Sequence, residues 1–231
     1  EKIRKNMIYG LLRKRSFQDA RFLGKYWCVI VDGTQLFSFN EKHCEQCLKK
    51  TFNKGQENEK TMYYHQVLEA KIILGENVLL SIETEFIENE SENITKQDCE
   101  RKAFRRLAES LKKMFPRLPL CIMGDSLYAC EPVFEICREN KWEFLIRYKD
   151  GSIPTVAEEY KEIDEMNEAE EKVTYIEEIN KRKPNVQIDK KMKWVNDLNY
   201  KNHVVAVMEL SIQIKGKKYK EFQWITSIRI T

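Results

Sequence analysis

The sequence lacks any long hydrophobic run, and it also lacks a clear excess of charge of one sign. No apolar stretch of the chain approaches the roughly 20 residues that a membrane-spanning helix needs, so we expect no membrane segment and no membrane partner. The first residues do not have the pattern of a signal peptide either. The 40 Lys and Arg residues nearly balance 37 Asp and Glu residues, and the net charge of +3 is too small to prove a nucleic-acid partner.

A disulfide framework is missing as well. The seven cysteines are odd in number and unevenly spaced, which is typical of reduced thiols in a cytosolic protein. Disorder is also excluded, because 42% of the residues are hydrophobic and 11% are aromatic, whereas disordered chains are poor in both. A chain of 231 residues is long enough to form one large domain, or a domain with an insertion, around a real core.

Hydrophobic periodicity in the first part of the chain predicts one helix and three strands. Residues 1–25 combine apolar and basic positions at helical spacing, and their positive charge suits either phosphate contacts or a solvated helix face. The apolar run Tyr26–Asp32 ends in Asp-Gly and predicts a buried strand. Thr61–Leu74 and Asn77–Ile87, joined at Gly75-Glu76, predict two further strands, so that the three strands form an antiparallel start.

The next part of the chain alternates between helices and strands. Lys96–Met114 carries an apolar stripe and is followed by Pro116, which predicts a helix. Leu118–Asp125 and Trp142–Tyr148 read as short strands on either side of a helix over Tyr128–Asn140. Three strands followed by helix, strand, helix and strand predict an α/β fold with a mixed sheet.

From about Pro154 the composition changes again. The acidic run over residues 158–172 predicts a solvated linker, with a functional acidic patch as the alternative. The remaining sequence alternates like antiparallel strands, with turns at Lys183-Pro184 and Gly216 among others. We therefore predict a β-rich insertion with four strands: Val173–Ile179, Val186–Asn196, His203–Ile214 and Tyr219–Ile230.

Two aspartates stand out because each closes a predicted strand. Asp32 ends the first buried strand, and Asp125 ends the first strand after the long helix. A carboxylate at the end of a buried strand is costly unless it is paired, hydrogen-bonded or bound to a metal. Two such carboxylates, if brought together, would favour a hard divalent cation such as Mg²⁺. The alternative is that each aspartate caps the turn or helix that follows it.

Five sequence stretches in order resemble the DDE transposases of bacterial insertion sequences. These stretches are VIVDGTQLFSF, MYYHQVLEAKII, KQDCERKAFRRL, CIMGDSLYACEPVFEI and WEFLIRYK. The resemblance is closest to the IS-four type, whose ribonuclease-H-like core carries a late β-rich insertion. It covers the chain from about residue 3 to its end. Each stretch alone is short, and it is their common order that carries the resemblance.

The resemblance implies a fold and a division of the chain. We expect an α/β fold with a ribonuclease-H-like mixed sheet flanked by helices and a β-rich insertion domain. Residues 1–25 would be a basic helical lead-in, and residues 26–155 would be the catalytic core. Residues 156–222 would form the insertion, and residues 223–231 a return strand toward a final helix.

The resemblance also implies a chemistry. Asp32 and Asp125 match the first two acidic residues of the catalytic triad, which hold two Mg²⁺ or Mn²⁺ ions. Such ions activate a water or a DNA 3′-hydroxyl and stabilise the leaving oxygen during in-line displacement at phosphorus. The intact protein would therefore be an endonuclease and strand-transfer enzyme of a mobile element. Its expected partner is double-stranded DNA, at transposon ends and target, and it would act as a homodimer in the bacterial cytoplasm at the nucleoid.

The third acidic residue of the family is missing from the matched pattern. The family places its glutamate in a Tyr-x-x-Arg-x-x-x-Glu-x-x-x-x-x-x-Lys signature, and none of the tyrosines here has an arginine three positions on. We therefore expect the chain to be a fragment whose glutamate lies beyond Thr231 and whose upstream DNA-binding region is also absent, as an opening without Met would fit. Such a fragment would be catalytically weak or inactive.

Other side chains are expected to contact DNA. Trp224 falls where the family has a tryptophan that stabilises a flipped base, because stacking on an aromatic ring offsets the cost of unstacking. Trp194 is a second candidate of this kind, and an ordinary strand aromatic is the alternative for both. Arg147 and Lys149 resemble basic residues that contact DNA near the cleavage site, with unspecialised surface charge as the alternative.

The Cys-rich loop offers candidate ligands for a zinc ion, although a loop of reduced thiols is the favoured interpretation. Cys44 and Cys47 form a C-x-x-C, and thiolates at that spacing can bind Zn²⁺ from one turn. A structural site needs four ligands, and the sequence offers His43 and Cys99, or His65, to complete it across space. The alternatives are a loop of reduced thiols and, for His65, a packed strand histidine.

Two other functions remain open from the sequence. A ribonuclease-H-like nuclease would share Asp32 and Asp125 but would not need the β-rich insertion or Trp224. A catalytically inactive DNA-binding protein derived from a transposase would need neither metal nor the missing glutamate.

Overall fold

The computed structural model describes residues 2–14, 17–90, 98–149, 151–166, 169–178, 186–214 and 217–231. The described residues form a mixed α/β fold with four helices and mostly antiparallel strands. The chain divides into two compact units, and strand β5 (Leu120–Gly124) runs from one into the other. The first unit comprises Glu1–Ile122 and Glu139–Trp142, and the second comprises Met123–Arg138 and Glu143–Thr231.

The first unit is built on an antiparallel meander. Strands β1 (Trp27–Phe39), β3 (Lys60–Gly75) and β4 (Val78–Ile87) pair antiparallel, with β3 in the middle. This confirms the predicted antiparallel start. A short strand β2 (Leu48–Phe52), which was not predicted, pairs with the other half of β3, and the first residues of β5 lie beside β1.

Strand β1 has two different halves, and this corrects the predicted strand end at Asp32. Trp27 through Val31 are buried or half-buried, whereas Asp32 and most residues after it are exposed although the strand continues to Phe39. The continuous apolar run of the sequence stops at Asp-Gly, whereas the second half of the strand mixes polar residues with the exposed side chains of Leu36, Phe37 and Phe39. Asp32 therefore lies in mid-strand and carries no burial cost.

Two helices belong to the first unit. Helix α1 (Lys2–Arg13) is shorter than the predicted helix over residues 1–25 and is followed by a 3₁₀ turn at Gln18–Ala20. Helix α2 (Glu100–Met114) confirms the predicted helix but begins later than the predicted Lys96, because Asp98 and Cys99 are not helical; residues 96 and 97 lie outside the described residues. Its buried stripe includes Phe104 and Leu107, and burying a side chain of that size contributes roughly 1.5–3 kcal/mol.

The second unit begins with a short helix and strand. A 3₁₀ turn at Ser126–Tyr128 precedes α3 (Glu131–Asn140), so the predicted helix over Tyr128–Asn140 starts later than expected. Strand β6 (Glu143–Tyr148) then alternates buried and half-buried residues. Helix α4 (Pro154–Glu165) corrects the predicted linker, because Val156, Ala157 and Tyr160 are buried along one side of the acidic run.

The remainder of the second unit is an antiparallel sheet. Strands β7 (Glu170–Glu178), β8 (Val186–Tyr200), β9 (His203–Ile214) and β10 (Lys217–Thr226) pair in chain order, and β10 also pairs with β6. The four predicted strands of the insertion are confirmed, with β9 at the predicted bounds. The turns predicted at Lys183-Pro184 and Gly216 lie outside the described residues.

Candidate functional site

Asp32 lies on β1 and faces another carboxylate. In the antiparallel register of β1 and β3, Asp32 is directly opposite Glu69. Directly opposite residues project from the same face of a sheet, with Cβ atoms about 5 Å apart. Two carboxylates at that spacing repel each other unless a cation lies nearby. The sequence analysis did not identify Glu69, because register is the only signal that pairs it with Asp32.

The Glu69 carboxylate stays ionised in this position. Burial raises the pKa of Glu69. Hydrogen bonds from Lys71 and Ser81 and the positive charges of Lys71 and Arg4 lower it by more, so the net pKa lies below its usual range. The Lys71 Nζ atom is 2.8 Å from Glu69 Oε2. The charge of Glu69 is therefore partly balanced by Lys71, and Asp32 is the second carboxylate at this place on β1 and β3.

Glu100 lies close to β1 but on the other face. A Cβ atom added at Gly33 would collide with the Glu100 carboxylate and would lie 2.6 Å from Gln66 Nε2. The Gln66 Nε2 atom donates to Glu100 Oε1 over 2.8 Å. Successive side chains on a strand point to opposite faces, so Glu100 approaches β1 from the face opposite the Asp32 side chain. Glycine at position 33 leaves room for the end of the Glu100 side chain beside β1.

Asp125 acts as a cap in the second unit. It precedes the 3₁₀ turn at Ser126–Tyr128, and its Oδ1 atom accepts a hydrogen bond from the Leu127 backbone N–H over 2.8 Å. This is the capping role that the sequence left open for it. The bond uses one lone pair of one carboxylate oxygen, so the carboxylate keeps acceptor capacity for another partner. Asp125 directly follows β5, the strand that begins beside β1 in the first unit.

The predicted DNA-contacting residues of β6 and β10 form an aromatic and cationic cluster. Trp224 is half-buried and lies opposite Arg147 in the β6–β10 register. The Arg147 guanidinium is 4.4 Å from the ring centroid of Phe222 and 5.2 Å from that of Trp224. Arg147 is therefore held against two aromatic rings by cation–π attraction, and Lys149 follows it as an exposed residue.

Trp194 has a different environment from Trp224. It lies opposite Met208 in the β8–β9 register, and only 7% of its surface is exposed. Its indole Nε1 atom has no hydrogen-bond partner among the described residues. A base can stack only on an accessible ring face, so the burial of Trp194 favours the interpretation as a packed strand aromatic.

The closest set of metal-ligating atoms lies in the Cys-rich loop of the first unit. Cys44 Sγ and Cys47 Sγ are 3.5 Å apart, and His65 Nε2 lies 3.3 Å from the first and 3.4 Å from the second. Among the described residues, this is the single group of three or more Cys, His, Asp or Glu ligand atoms within 4.8 Å of one another. Asp32, Asp125, His43 and Cys99 do not belong to such a group.

His43 and Cys99 have other environments. The His43 ring stacks on Tyr63, with centroids 3.6 Å apart, and its Nδ1 atom lies 3.0 Å from the Glu41 carbonyl oxygen. Cys99 is exposed at the residue before α2. The structure thus groups the C-x-x-C with His65 rather than with the two residues that the sequence analysis placed first. The contact depends on the fold, since His65 comes from the middle of β3.

No helix among the described residues is long and apolar enough to cross a membrane. No protein-family model matches the chain, and no curated protein sequence matches it.

Proposed function

We propose that this chain is part of the catalytic core of a DNA transposase of the DDE class. Its reaction is metal-dependent cleavage and transfer of DNA strands, with Asp32 and Asp125 as ligands of Mg²⁺ or Mn²⁺. The ordered sequence resemblance is the source of this proposal. The observation that carries it further is that Asp32 is an exposed carboxylate on β1, and that Asp125 directly follows β5, the sheet neighbour of β1.

The order of elements in the first unit supports a ribonuclease-H-like core. The hydrophobic pattern of the sequence predicts three antiparallel strands followed by a helix and another strand of a mixed sheet. The first unit contains the antiparallel strands β1, β3 and β4, then α2, and then the start of β5 beside β1. The proposed chemistry needs acidic residues from neighbouring strands, and this order is compatible with it, since Asp32 lies on β1 and Asp125 directly follows β5.

The charge around Asp32 also favours a cation. Asp32 faces Glu69, whose pKa is lowered so that its carboxylate stays ionised. Mg²⁺ and Mn²⁺ prefer carboxylate and water oxygens. Asp32 is exposed, so its carboxylate is accessible to a hydrated ion. A cation bound at Asp32 would relieve the repulsion between the two carboxylates. Glu69 would then contribute to affinity either directly or through a water.

The second unit offers a surface for nucleic acid. The Arg147 guanidinium lies over the rings of Phe222 and Trp224, and Lys149 is exposed one residue after β6. Arginine and lysine bind phosphates, and a half-buried indole can stack on an unpaired base. We propose that Arg147 moves from the aromatic rings to a phosphate when DNA binds, which frees the Trp224 face for a base.

The first test is Mn²⁺ binding by isothermal titration. The chain is compared with an Asp32→Asn, Asp125→Asn double variant, and exposed Asp19→Asn is the matched control. We expect weak binding by the chain and by the control, and at least tenfold weaker binding by the double variant. Equal Mn²⁺ binding by the chain and the double variant would contradict the proposed metal site.

DNA binding separates the transposase from the two alternatives. Anisotropy of a labelled duplex with a flipped or unpaired base is measured for the chain and for Trp224→Ala. Weaker binding of this probe by Trp224→Ala favours the transposase over a simple nuclease, which would not need the indole. DNA binding in a chain that binds no Mn²⁺ would instead support an inactive DNA-binding protein.

A further inference from the structure

We infer that Cys44, Cys47 and His65 bind one Zn²⁺ ion, which holds the connection between β1 and β2 against strand β3. The site shares no residue with the proposed Asp32 and Asp125 site and goes beyond the proposed function. Its ligands come from one short loop and from one strand, all within the first unit. The ion would hold the loop against the strand through three protein ligands, with its fourth coordination position left open.

The distances between the ligand atoms fit a zinc ion. Zn–S bonds of about 2.3 Å and Zn–N bonds of about 2.0 Å in a tetrahedron place the ligand atoms about 3.5–3.8 Å apart. The two sulfur atoms are 3.5 Å apart, and His65 Nε2 is 3.3 and 3.4 Å from them. The three atoms form a nearly equilateral triangle, so an ion slightly above its plane reaches all three.

The ligand types select the metal. Two thiolates and one imidazole form a soft set that suits Zn²⁺ and disfavours Mg²⁺ or Ca²⁺. Each cysteine thiol loses its proton to solvent when the ion binds, so binding releases up to two protons. The triangle supplies three of the four tetrahedral positions. Cys47 is buried and Cys44 is exposed, so the fourth position faces the solvent side, where a water completes the coordination.

The loop is held in place by a buried asparagine. Asn89 is only 3% exposed, and its Nδ2 atom donates to the Cys47 carbonyl oxygen over 2.7 Å. The Asn89 backbone N–H donates to the Gln46 carbonyl oxygen over 3.0 Å. The backbone carbonyl groups of Gln46 and Cys47 are therefore both held by Asn89. Such fixing of ligand backbones is common around metal sites, because it orients the ligands before the ion binds.

A disulfide between Cys44 and Cys47 is the competing interpretation. A disulfide would use the two sulfur atoms alone and would give the histidine no part. The His65 Nε2 atom instead lies almost equally far from both sulfur atoms. This equal spacing is what a shared metal ion requires, and it favours the zinc site.

The direct test is metal content and Co²⁺ substitution in the full chain. The zinc content of protein purified under reducing conditions is measured by elemental mass spectrometry. Co²⁺ is then exchanged for zinc as a spectroscopic probe. We expect about one zinc per chain and the visible absorption bands of tetrahedral Co²⁺ bound to thiolate. Less than a tenth of an equivalent of zinc, together with no cobalt bands, would overturn the proposal.

Variants assign the ligands. Cys44 is exposed, so Cys44→Ser should fold, and we expect it to bind Co²⁺ at least tenfold more weakly than the chain. Cys99→Ser removes the other exposed cysteine, and we expect it to bind Co²⁺ like the chain. Equal binding by Cys44→Ser would overturn the proposal. A disulfide would show as an intact mass two hydrogens lower in zinc-free protein after air exposure. If such protein, once reduced, failed to bind added zinc, the proposal would also be overturned.

Limited proteolysis tests the structural role. Trypsin can cut after Lys42, which lies in the loop, and after Lys54, which lies in the loop between β2 and β3; both lysines are exposed. We expect Zn²⁺ to slow cleavage at Lys42 at least fivefold, to leave cleavage at Lys54 unchanged, and to have no effect in Cys44→Ser. Equal cleavage at Lys42 with and without zinc would contradict the structural role. Neither result depends on Mn²⁺ or on DNA.

Discussion

The two candidate metal sites differ in how the chain assembles them. The Cys44, Cys47 and His65 ligand atoms lie within 3.5 Å of one another in a single unit. Asp32 and Asp125 belong to different units, and Asp125 already accepts a hydrogen bond from Leu127. The ligand atoms of the soft site, two from the loop and one from β3, already lie close together without an ion. The two carboxylates of the proposed Mg²⁺ or Mn²⁺ site are not grouped in this way, so we expect their affinity for the ion to depend more strongly on bound DNA.

Zinc removal should give the largest change in stability. If zinc is bound at about one hundred times its Kd, linkage stabilises the folded chain by about 2.7 kcal/mol relative to zinc-free protein. We expect urea unfolding with a chelator to show a loss of this size, restored by added zinc. Mn²⁺ at the same concentration should give a much smaller change. Equal effects of the two metals would remove the difference between the sites.

Replacement of Asn89 by alanine should give the next largest change. The substitution leaves the Cys47 carbonyl oxygen and the Asp98 backbone N–H without the partners that they have now. An unsatisfied buried polar group costs about 1–3 kcal/mol. We expect urea unfolding of Asn89→Ala to show a loss of about 2 kcal/mol and Co²⁺ to bind more weakly. Asn199→Ala, at an exposed position of β8, is the control and should change neither quantity.

Two substitutions at Asp125 separate its cap from its proposed metal role. Asp125→Ala removes the acceptor of the Leu127 N–H, and loss of a side-chain cap typically costs about 1 kcal/mol. Asp125→Asn keeps a carbonyl oxygen as acceptor and should unfold at nearly the same urea concentration as the chain. Both variants should lose Mn²⁺ binding. If Asp125→Asn binds Mn²⁺ as tightly as the chain does, Asp125 has a capping role only and is not a metal ligand.

Asp32→Asn should give the smallest change in stability. Asp32 is exposed and faces Glu69, so removing its charge relieves repulsion and should change the free energy of unfolding by less than about 0.5 kcal/mol. Its Mn²⁺ affinity should nevertheless fall at least tenfold in isothermal titration. Glu69→Gln should lower the affinity by a smaller factor. A large loss of stability in Asp32→Asn would indicate a structural role instead.

Much of the fold follows from local patterns in the sequence. The buried stripe of α2 has helical spacing, and β3, β4 and β9 are long apolar or alternating segments, so each was predicted close to its observed bounds. The exposed half of β1 and the strand β2 were missed, because their burial does not alternate and their stability comes from pairing with β3.

Helix α4 and the third ligand of the zinc site were harder to predict for physical reasons. The acidic residues of α4 obscured its short buried stripe of Val156, Ala157 and Tyr160. The C-x-x-C is visible in the sequence because its two ligands share one turn. His65 reaches them only because β3 lies beside the loop, and sequence spacing carries no record of that contact. His65 was one of three residues named from the sequence to complete the site, and the fold selects it over His43 and Cys99. Glu69 was missed, because register alone places it opposite Asp32.

The central proposal is that Asp32 and Asp125 bind the same catalytic metal ion. Diffraction from crystals soaked in Mn²⁺ tests it most directly. Anomalous differences at the manganese edge locate the ion without reference to activity. The account predicts a manganese peak within bonding distance of carboxylate oxygens of both Asp32 and Asp125. Manganese bound at neither aspartate, or at the Cys44, Cys47 and His65 group alone, would contradict it.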